Sequence, residues 1–234
     1  HAMLDDNQFG DHLLHKAFRS LGISVLILAV LLFLPAWDIF WLNGWIFLSL
    51  LTALILAAIP YLWITNPEIF VARRKIQPGT KAWDKVLLRV LFASLVLIIP
   101  LAGFDYRFHW SLVPSWLMGL GYVLFAIGFV ASIWVQRVNK FAEPGVRIQT
   151  ERGQTVIDNG PYAIVRHPLY LADLFLFSGI PLALGSIWAF IPVAVGAGVL
   201  VVRTVLEDRL LHKELAEYQE YAARVRYRLI PGVW

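Results

Sequence analysis

The sequence predicts an all-α membrane protein, a polytopic bundle of about five to six transmembrane helices whose last two form a hairpin. Apolar residues make up 59% of the 234-residue chain and charged residues 15%, against roughly 45 to 50% and about 25% in a soluble domain. Apolar runs near the ~20 residues that cross a bilayer recur along the chain. Lysine and arginine fall in alternate loops, as topology rules require of a membrane protein.

Six apolar runs are candidate spans. The first four are residues 21–40, 44–64, 86–104 and 116–135. Residues 169–184 and 187–206 follow, separated only by Gly185 and Ser186. Because the run 169–184 is the shortest, two alternatives stay open: the final hairpin crosses the membrane, or it dips in and returns.

Basic residues mark one side of the predicted bundle. They fall in the segments 16–19, 73–85, 137–166 and 203–228, whereas the loops on the opposite side hold only Arg107. Short cytoplasmic loops carry the basic excess, so both termini are expected in the cytoplasm. The segment 66–85 is interpreted as an interfacial connector that contacts anionic lipid headgroups. Membrane lipids, not nucleic acid, are the expected partners of this basic face.

The composition also limits the chemistry. The chain contains no cysteine, which excludes disulfides, thiolate catalysis and cysteine-ligated metal sites, and no metal site is expected. No repeat or linker divides the sequence, so residues 1–234 are interpreted as a single domain. Residues 1–135 supply four of its spans.

The loop before the fifth span has turn signals. Residues 146–157 suit a small β-hairpin in which Gly153 supplies a left-handed turn position. Residues 159–162, with the sequence Asn-Gly-Pro-Tyr, then turn the chain back toward the membrane. A hairpin held over a helix bundle would form a lid.

The fifth span begins at Arg166-His167-Pro168. Proline suits the first helical turn, where its missing N–H costs nothing. His167 and Tyr170 are then presented beside free backbone donors at the helix entrance, a geometry that favours an anion. The alternative is an interfacial His and Tyr beside an arginine that extends to the headgroups.

The last span ends in charged residues. Arg203 and Glu207 are four residues apart and share a helix face; Glu214 and Tyr218 continue that face if the helix persists. A charged pair at the end of an apolar run is a functional candidate, and an ordinary ion pair is the alternative. Asp173, inside the fifth span, either caps a polar cavity or pairs with an arginine.

Residues 136–234 resemble the isoprenylcysteine carboxyl methyltransferase family, especially its prokaryotic integral membrane members. The motif GPYAIVRHPLY at residues 160–170 carries the resemblance, together with the acidic pair Glu207-Asp208 and the tail EYQEYAARVRYRLIPGVW at residues 217–234. Three departures concern Ala172, which replaces a glycine, Asp208, which replaces a glutamate, and residues 215–216, where a Phe-Gly pair is missing. They bear on the subgroup and the acceptor.

The resemblance implies an S-adenosylmethionine-dependent methyltransferase with S-adenosylhomocysteine as product, and it makes residues 136–234 the cofactor-binding part. The implied catalytic residues are Arg203, which would position the acceptor, and Glu207, which would orient the cofactor. The implied cofactor-binding residues are Gly160, Pro161, Tyr162, His167, Tyr170, Glu207, Asp208, Tyr218, Tyr221 and Arg224.

The expected function is methyl transfer to a lipophilic acceptor at the cytoplasmic face of a prokaryotic membrane. The acceptor is expected to be a carboxylate, such as a prenylcysteine-like or isoprenoid acid. Three alternatives stay open: a phospholipid amine N-methyltransferase, an NADPH-dependent enzyme like the sterol reductases, and a non-catalytic transporter or sensor. Transporters place polar groups near the midplane, which only Asp173 approaches.

Overall fold

A computed structural model describes the backbone from residue 6 and the side chains from residue 19 to the end of the chain. Its helices, in chain order, are α1 (Asp6–Ala36), α2 (Leu42–Thr65), α3 (Glu68–Ala72), α4 (Ala82–Phe108), α5 (Ser115–Val138), α6 (Pro168–Leu184), α7 (Phe190–Glu214) and α8 (Tyr218–Arg224). Two short 3-10 turns, Thr150–Arg152 and Gly160–Ala163, lie between α5 and α6. Residues 6–234 contain no strand, and the all-α prediction is confirmed.

Five helices are long and apolar enough to cross a membrane, namely α1, α2, α4, α5 and α7. Large apolar side chains remain exposed on their outer faces, including Leu26, Val30, Val123, Val130 and Val195. Water would oppose so much exposed apolar surface, whereas lipid tails accept it. The chain is therefore an integral membrane protein with a polytopic helical bundle.

Helix α6 is shorter, with 17 residues, or about 25 Å at about 1.5 Å per residue. It nevertheless runs between the two ends of the bundle: it starts beside the last turns of α7, and Gly185, which follows it, lies against Met118 in the first turn of α5. Gly185 has a φ of +75°, so it ends the helix in the left-handed conformation that glycine favours. This path along the bundle favours the alternative in which the final hairpin crosses the membrane, and that crossing stays a prediction.

Helices α5 and α6 approach each other through glycines. A Cβ on Gly121 would lie 2.3 Å from the backbone nitrogen of Ala183, and one on Gly179 would lie 2.4 Å from that of Phe125. Small residues let helix backbones pack closely in membranes, where no hydrophobic effect draws helices together. Helix α6 packs most extensively on α5, and α7 packs most extensively on α4.

Polar contacts identify the two ends of the bundle. At one end, Asp105 near the end of α4 accepts hydrogen bonds from the hydroxyls of Ser111 at 2.7 Å and Ser186 at 2.5 Å. At the other end, Asn66 after α2 donates to the carbonyl of Gln136 near the end of α5 at 2.6 Å. We call this second end, where most of the loop arginines and lysines gather, the basic end.

The loop between α5 and α6 differs from the predicted β-hairpin. Its residues 146–157 form no strands, and the tip is a 3-10 turn. In place of the backbone hydrogen bonds of paired strands, side chains bond to the backbone groups of this loop. The Gln154 side chain accepts from the amide of Gln149 at 2.7 Å, and the Gln149 side chain donates to the carbonyl of Phe141 at 2.8 Å. Gly153 does adopt the predicted left-handed conformation, with a φ of +58°.

The helix does not persist from Glu207 to Tyr218, so the condition under which Tyr218 would continue its face is not met. Helix α7 ends at Glu214, Leu215 is extended, and Glu217 takes a positive φ of 64° before α8 begins. The chain therefore turns after α7. This turn brings α8 back over the basic end.

Candidate functional site

A cavity of about 220 Å³ lies at the basic end. Its walls come from the starts of α4 and α6, the last turns of α7, the loop from residue 139 to 157, and α8. Seven residues singled out in the sequence share its lining: Tyr162, His167, Tyr170, Arg203, Glu207, Tyr218 and Tyr221. The fold thus brings together polar residues from four separate segments.

Tyr170 and Glu207 form the center of this lining. The Tyr170 hydroxyl donates a short hydrogen bond to Glu207 Oε2. The His167 ring stacks parallel to the Tyr170 ring with centroids 5.7 Å apart, and its Nδ1 lies 3.9 Å from the same carboxylate oxygen. The Glu207 side chain keeps 24% of its surface exposed. A carboxylate held in this way faces the cavity and is available to a cationic ligand.

Asp208 has a different surrounding from its neighbor Glu207. It is 2% exposed and accepts hydrogen bonds or ion pairs from Arg166 at 2.9 Å, Arg228 at 2.9 Å and Tyr218 at 3.0 Å. Three chain segments are thereby held to the end of α7. Asp208 does not line the cavity, so its visible role is to join the elements that do.

The tail after α8 completes this arrangement through its backbone. The amide of Arg166 donates to the carbonyl of Tyr227 at 2.9 Å, and the amide of His167 donates to that of Arg228 at 2.8 Å. These bonds occupy two backbone donors at the entrance of α6, which leaves fewer of them for the anion that the sequence suggested. They also fix the orientation of His167.

Arg203 lines the cavity, but its charge is already paired. Its Nε donates to Asp84 Oδ1 at 2.7 Å and its Nη2 donates to Asp84 Oδ2 at 3.2 Å. Nη2 also donates to the carbonyl of Pro144 at 2.8 Å, and Asp84 accepts from the amide of Val146 at 2.7 Å. The pair holds the loop against α4 and α7. The ordinary ion pair with Glu207, four residues along the helix, is not observed, because Arg203 pairs with Asp84 of α4 instead.

Tyrosines close the cavity on the tail side. Asn139 donates to the Tyr162 hydroxyl at 2.7 Å, and the Tyr221 hydroxyl donates to the Tyr162 carbonyl at 2.8 Å. Burial raises the pKa values of the Tyr162, Tyr218 and Tyr221 phenols well above the usual range. These hydroxyls therefore stay protonated and remain hydrogen-bond donors at any physiological pH.

The loop carries its own ion pairs. Arg147 forms a two-point contact with Glu143, at 2.7 and 2.8 Å, and also meets Glu151 at 2.6 Å. The Glu143 hydrogen bond raises the pKa of Arg147, and a backbone hydrogen bond together with Arg147 lowers that of Glu151. The loop over the cavity is therefore internally braced.

Three predicted residues lie beside the cavity without lining it, in addition to Asp208. Gly160 and Pro161 form the 3-10 turn that carries Tyr162, and Gly160 takes a φ of +55°. Arg224 pairs with Asp158 at 2.9 Å, and both side chains are more than half exposed. These residues shape or cover the site from outside.

Three polar residues received no site role from the sequence, although two of them line the cavity and the third, Asp84, contacts the lining residue Arg203. Asp84 lies in the first turn of α4, Arg73 directly follows α3, and Asn139 follows α5. Asp84 anchors Arg203, whereas Arg73 and Asn139 line the cavity together with Asp173. A carboxylate in the first turn of an apolar span was the available signal for Asp84. For Arg73 the sequence offered no signal beyond its position in a basic loop.

A comparison with a known protein family supports a membrane methyltransferase. Residues 116–217, which include α6, α7 and all but the first residue of α5, match the family model described as phospholipid methyltransferase. This region carries Tyr162, His167, Tyr170 and Glu207. The match therefore covers the part of the chain that supplies the center of the cavity.

Two curated relatives are similar over part of their lengths. A 90-residue segment is 36% identical to Delta(14)-sterol reductase TM7SF2 of Mus musculus and covers 37% of this chain and 22% of that protein. A 121-residue segment is 27% identical to cobalt-zinc-cadmium resistance protein CzcN of Cupriavidus metallidurans and covers 50% of this chain and 51% of that protein. The chain spans about a fifth and about half of the lengths of these two relatives.

Proposed function

We propose that the protein transfers a methyl group from S-adenosylmethionine to a lipophilic acceptor at the cytoplasmic edge of a prokaryotic membrane, with both termini in the cytoplasm. The acceptor group is a carboxylate, as in a prenylcysteine-like or isoprenoid acid. The observation that carries the proposal is the convergence of His167, Tyr170 and Glu207 on one cavity at the basic end. Residues 136–234 form the cofactor-binding part.

The cavity residues fit such a cofactor. The cavity lining offers a half-buried carboxylate at Glu207, aromatic surfaces at Tyr162 and Tyr170, and apolar surface at Ile157 and Leu211. The Nε2 atom of His167 is buried and has no hydrogen-bond partner. The carboxylate oxygen Asp208 Oδ1 lies 3.6 Å from it, which is too far for a hydrogen bond. An unpaired buried polar atom is unusual in a folded protein, and a polar ligand would satisfy it.

The bound cofactor would supply a methyl group on a positively charged sulfur. That methyl carbon would pass to the acceptor oxygen with loss of its bond to sulfur, and the neutral thioether would be released. Glu207 would hold the positive charge in place, and Tyr170 would fix the orientation of Glu207. Such a transfer depends on alignment, for which well-placed reactants gain several kcal/mol. Leu88 and Leu91 on α4 line the cavity and would keep water from the reacting atoms.

Arg203 acts as a positioning residue in this proposal. Its ion pair with Asp84 neutralizes it and anchors Pro144 and Val146. The acceptor-positioning role that the resemblance implied for Arg203 therefore requires contact beyond the Asp84 pair. Arg203 nevertheless belongs to the proposed catalytic region, because it lines the cavity and its guanidinium lies over the Tyr170 ring, 5.1 Å from the ring centroid.

Two alternatives are each favored by one comparison. The phospholipid methyltransferase description of residues 116–217 favors a phospholipid amine as the acceptor. The similarity to a mouse sterol reductase favors an NADPH-dependent reaction. The first alternative keeps the cofactor and changes the acceptor, whereas the second changes both.

Binding separates these functions. Calorimetry on the detergent-purified protein should show S-adenosylhomocysteine binding, and His167→Ala and Tyr170→Ala should weaken it. Stabilization by NADPH, with no response to S-adenosylhomocysteine, would replace the methyltransferase proposal by the reductase. Transfer of labeled methyl groups into a membrane lipid extract, followed by separation of acids and amines, identifies the acceptor class.

A further inference from the structure

Four arginines line the cavity, and three of them are paired with carboxylates. The pairs are Arg203–Asp84 at 2.7 Å, Arg147–Glu143 at 2.7 Å and Arg166–Asp208 at 2.9 Å. These three ion pairs neutralize the arginines and hold the loop and the tail against the helices. They are poor candidates for binding a charged ligand.

Arg73 is the fourth and differs from them. Its Nη1 donates to the carbonyl of Ala142 at 3.2 Å, and among side chains 19–234 no carboxylate lies within ion-pair distance of it. Ile69 and Ala72 of α3 are buried and hold this part of the chain in place. Arg73 is therefore a fixed cation that faces the cavity with one carbonyl contact.

The electrostatic surroundings of Arg73 support this view. Burial lowers the pKa of its guanidinium, which the carboxylate of Asp173 partly opposes. A guanidinium nevertheless remains charged in proteins. A half-buried positive charge without a bonded anion is costly, and an anionic ligand would remove that cost.

The position of Arg73 indicates which ligand this is. Asp173, the carboxylate that acts on it, lies about one helical turn further into the bundle than Tyr170, and Leu88 and Leu91 line the same cavity from α4. The cofactor residues His167 and Tyr170 stand at the entrance of α6. Arg73 lines the cavity with these apolar side chains and lies within electrostatic reach of Tyr170 and Tyr162 as well as Asp173, so a lipid headgroup bound to Arg73 would stand beside the cofactor residues.

We propose that Arg73 binds the anionic group of the methyl acceptor, the carboxylate of a lipid acid or the phosphate of a phospholipid, and so selects anionic-headed lipids. This inference rests on the proposed function. Arg73 would form a two-point contact, which its planar guanidinium favors. In a phospholipid, the amine would then lie between Asp173 and the cofactor, and Asp173 would take the proton that the ammonium loses before its nitrogen accepts the methyl group.

The test compares Arg73→Gln with Arg74→Gln, a matched control that removes the same charge from an exposed neighbor. The probes are N-acetyl-S-farnesylcysteine and phosphatidylethanolamine in detergent micelles, with labeled S-adenosylmethionine. We expect Arg73→Gln to raise the KM for the accepted probe at least tenfold and to leave the Kd for S-adenosylhomocysteine within about twofold. Arg73→Lys should recover part of the loss, and Arg74→Gln should change neither value.

Each other outcome has a distinct meaning. A weaker Kd for S-adenosylhomocysteine in Arg73→Gln would assign Arg73 to the cofactor carboxylate and overturn the inference, as would an unchanged KM. Wild-type protein that binds S-adenosylhomocysteine but methylates neither probe would also overturn it. Wild-type protein that does not bind S-adenosylhomocysteine at all would refute the proposed function instead. Asp173→Asn distinguishes the two anion sources, because it should raise the KM only for phosphatidylethanolamine.

Discussion

Arg203 and Asp84 form a buried two-point ion pair that joins α7 to α4 across 119 residues of sequence. Both side chains are at most 5% exposed. The same two residues bind backbone groups of Pro144 and Val146, so the loop over the cavity depends on them. The pair links the stability of the bundle to the shape of the site.

Removal of either partner should therefore destabilize the protein. Asp84→Asn or Arg203→Gln leaves the other charge buried and unpaired, which costs about 3 to 5 kcal/mol. A double-mutant cycle from unfolding in detergent should give a coupling energy well above that of the exposed pair Asp158–Arg224, whose interaction is worth about 0 to 1 kcal/mol. Equal coupling in the two pairs would contradict the role given to Asp84.

The adjacent carboxylates Glu207 and Asp208 should respond differently to neutralization. Glu207→Gln keeps the fold, because the side chain faces the cavity, and should weaken S-adenosylhomocysteine binding. Asp208→Asn removes the charge that Arg166 and Arg228 share, and should lower the unfolding temperature. Thermal unfolding and calorimetry on both variants check this separation. The same loss of binding and of stability in both would contradict it.

Loss of the Tyr170 hydroxyl should weaken cofactor binding. Tyr170→Phe keeps the ring stacked on His167 and removes the hydrogen bond to Glu207. That bond contributes about 1.5 kcal/mol or more to the folded protein. Because Glu207 then loses its fixed orientation toward the ligand, affinity for S-adenosylhomocysteine should also fall, by roughly tenfold. Tyr61→Phe, at an exposed tyrosine that contacts Arg137, is the control and should leave the affinity unchanged.

Close packing of α5 and α6 should make one glycine essential and another in the same helix dispensable. Gly121→Leu places a side chain against the backbone of Ala183, where no space exists, and should prevent accumulation of folded protein. Gly119→Leu points into open space, and its yield should match that of the wild type. Size-exclusion profiles of the two variants in detergent measure the difference. A folded Gly121→Leu variant would show that the two helices can separate.

Much of the fold follows from local sequence. The predicted run 169–184 differs by one residue from α6, because Pro168 and Gly185 mark its ends through their backbone preferences. The run 86–104 falls short of α4, which continues through a polar first turn that apolar counting does not detect. Asp84 lies in that turn. Its partner is distant in sequence, so no local pattern could identify it.

The site was partly predictable because some of its residues stand out in the local sequence. His167, Tyr170 and Glu207 stand at helix ends where polar groups are conspicuous against apolar neighbors, and the structure brings them together. The β-hairpin was wrong because Gln149 and Gln154 satisfy the backbone with side chains, a choice that alternation of residue types does not reveal. Arg73 resembles the other basic residues of its loop in sequence. Only the fold distinguishes the one that faces inward.

The pairing of Arg166 and His167 with Tyr227 and Arg228 also determines when the pocket matures during synthesis. A chain is made from its N-terminus, so α6 and α7 exist before the segment that aligns the entrance of α6. Until Arg228 has been added, the His167 amide has no carbonyl to meet. Fragments that end before Tyr227 would therefore lack the two backbone bonds that align the entrance of α6, even where α6 and α7 already occupy the bilayer.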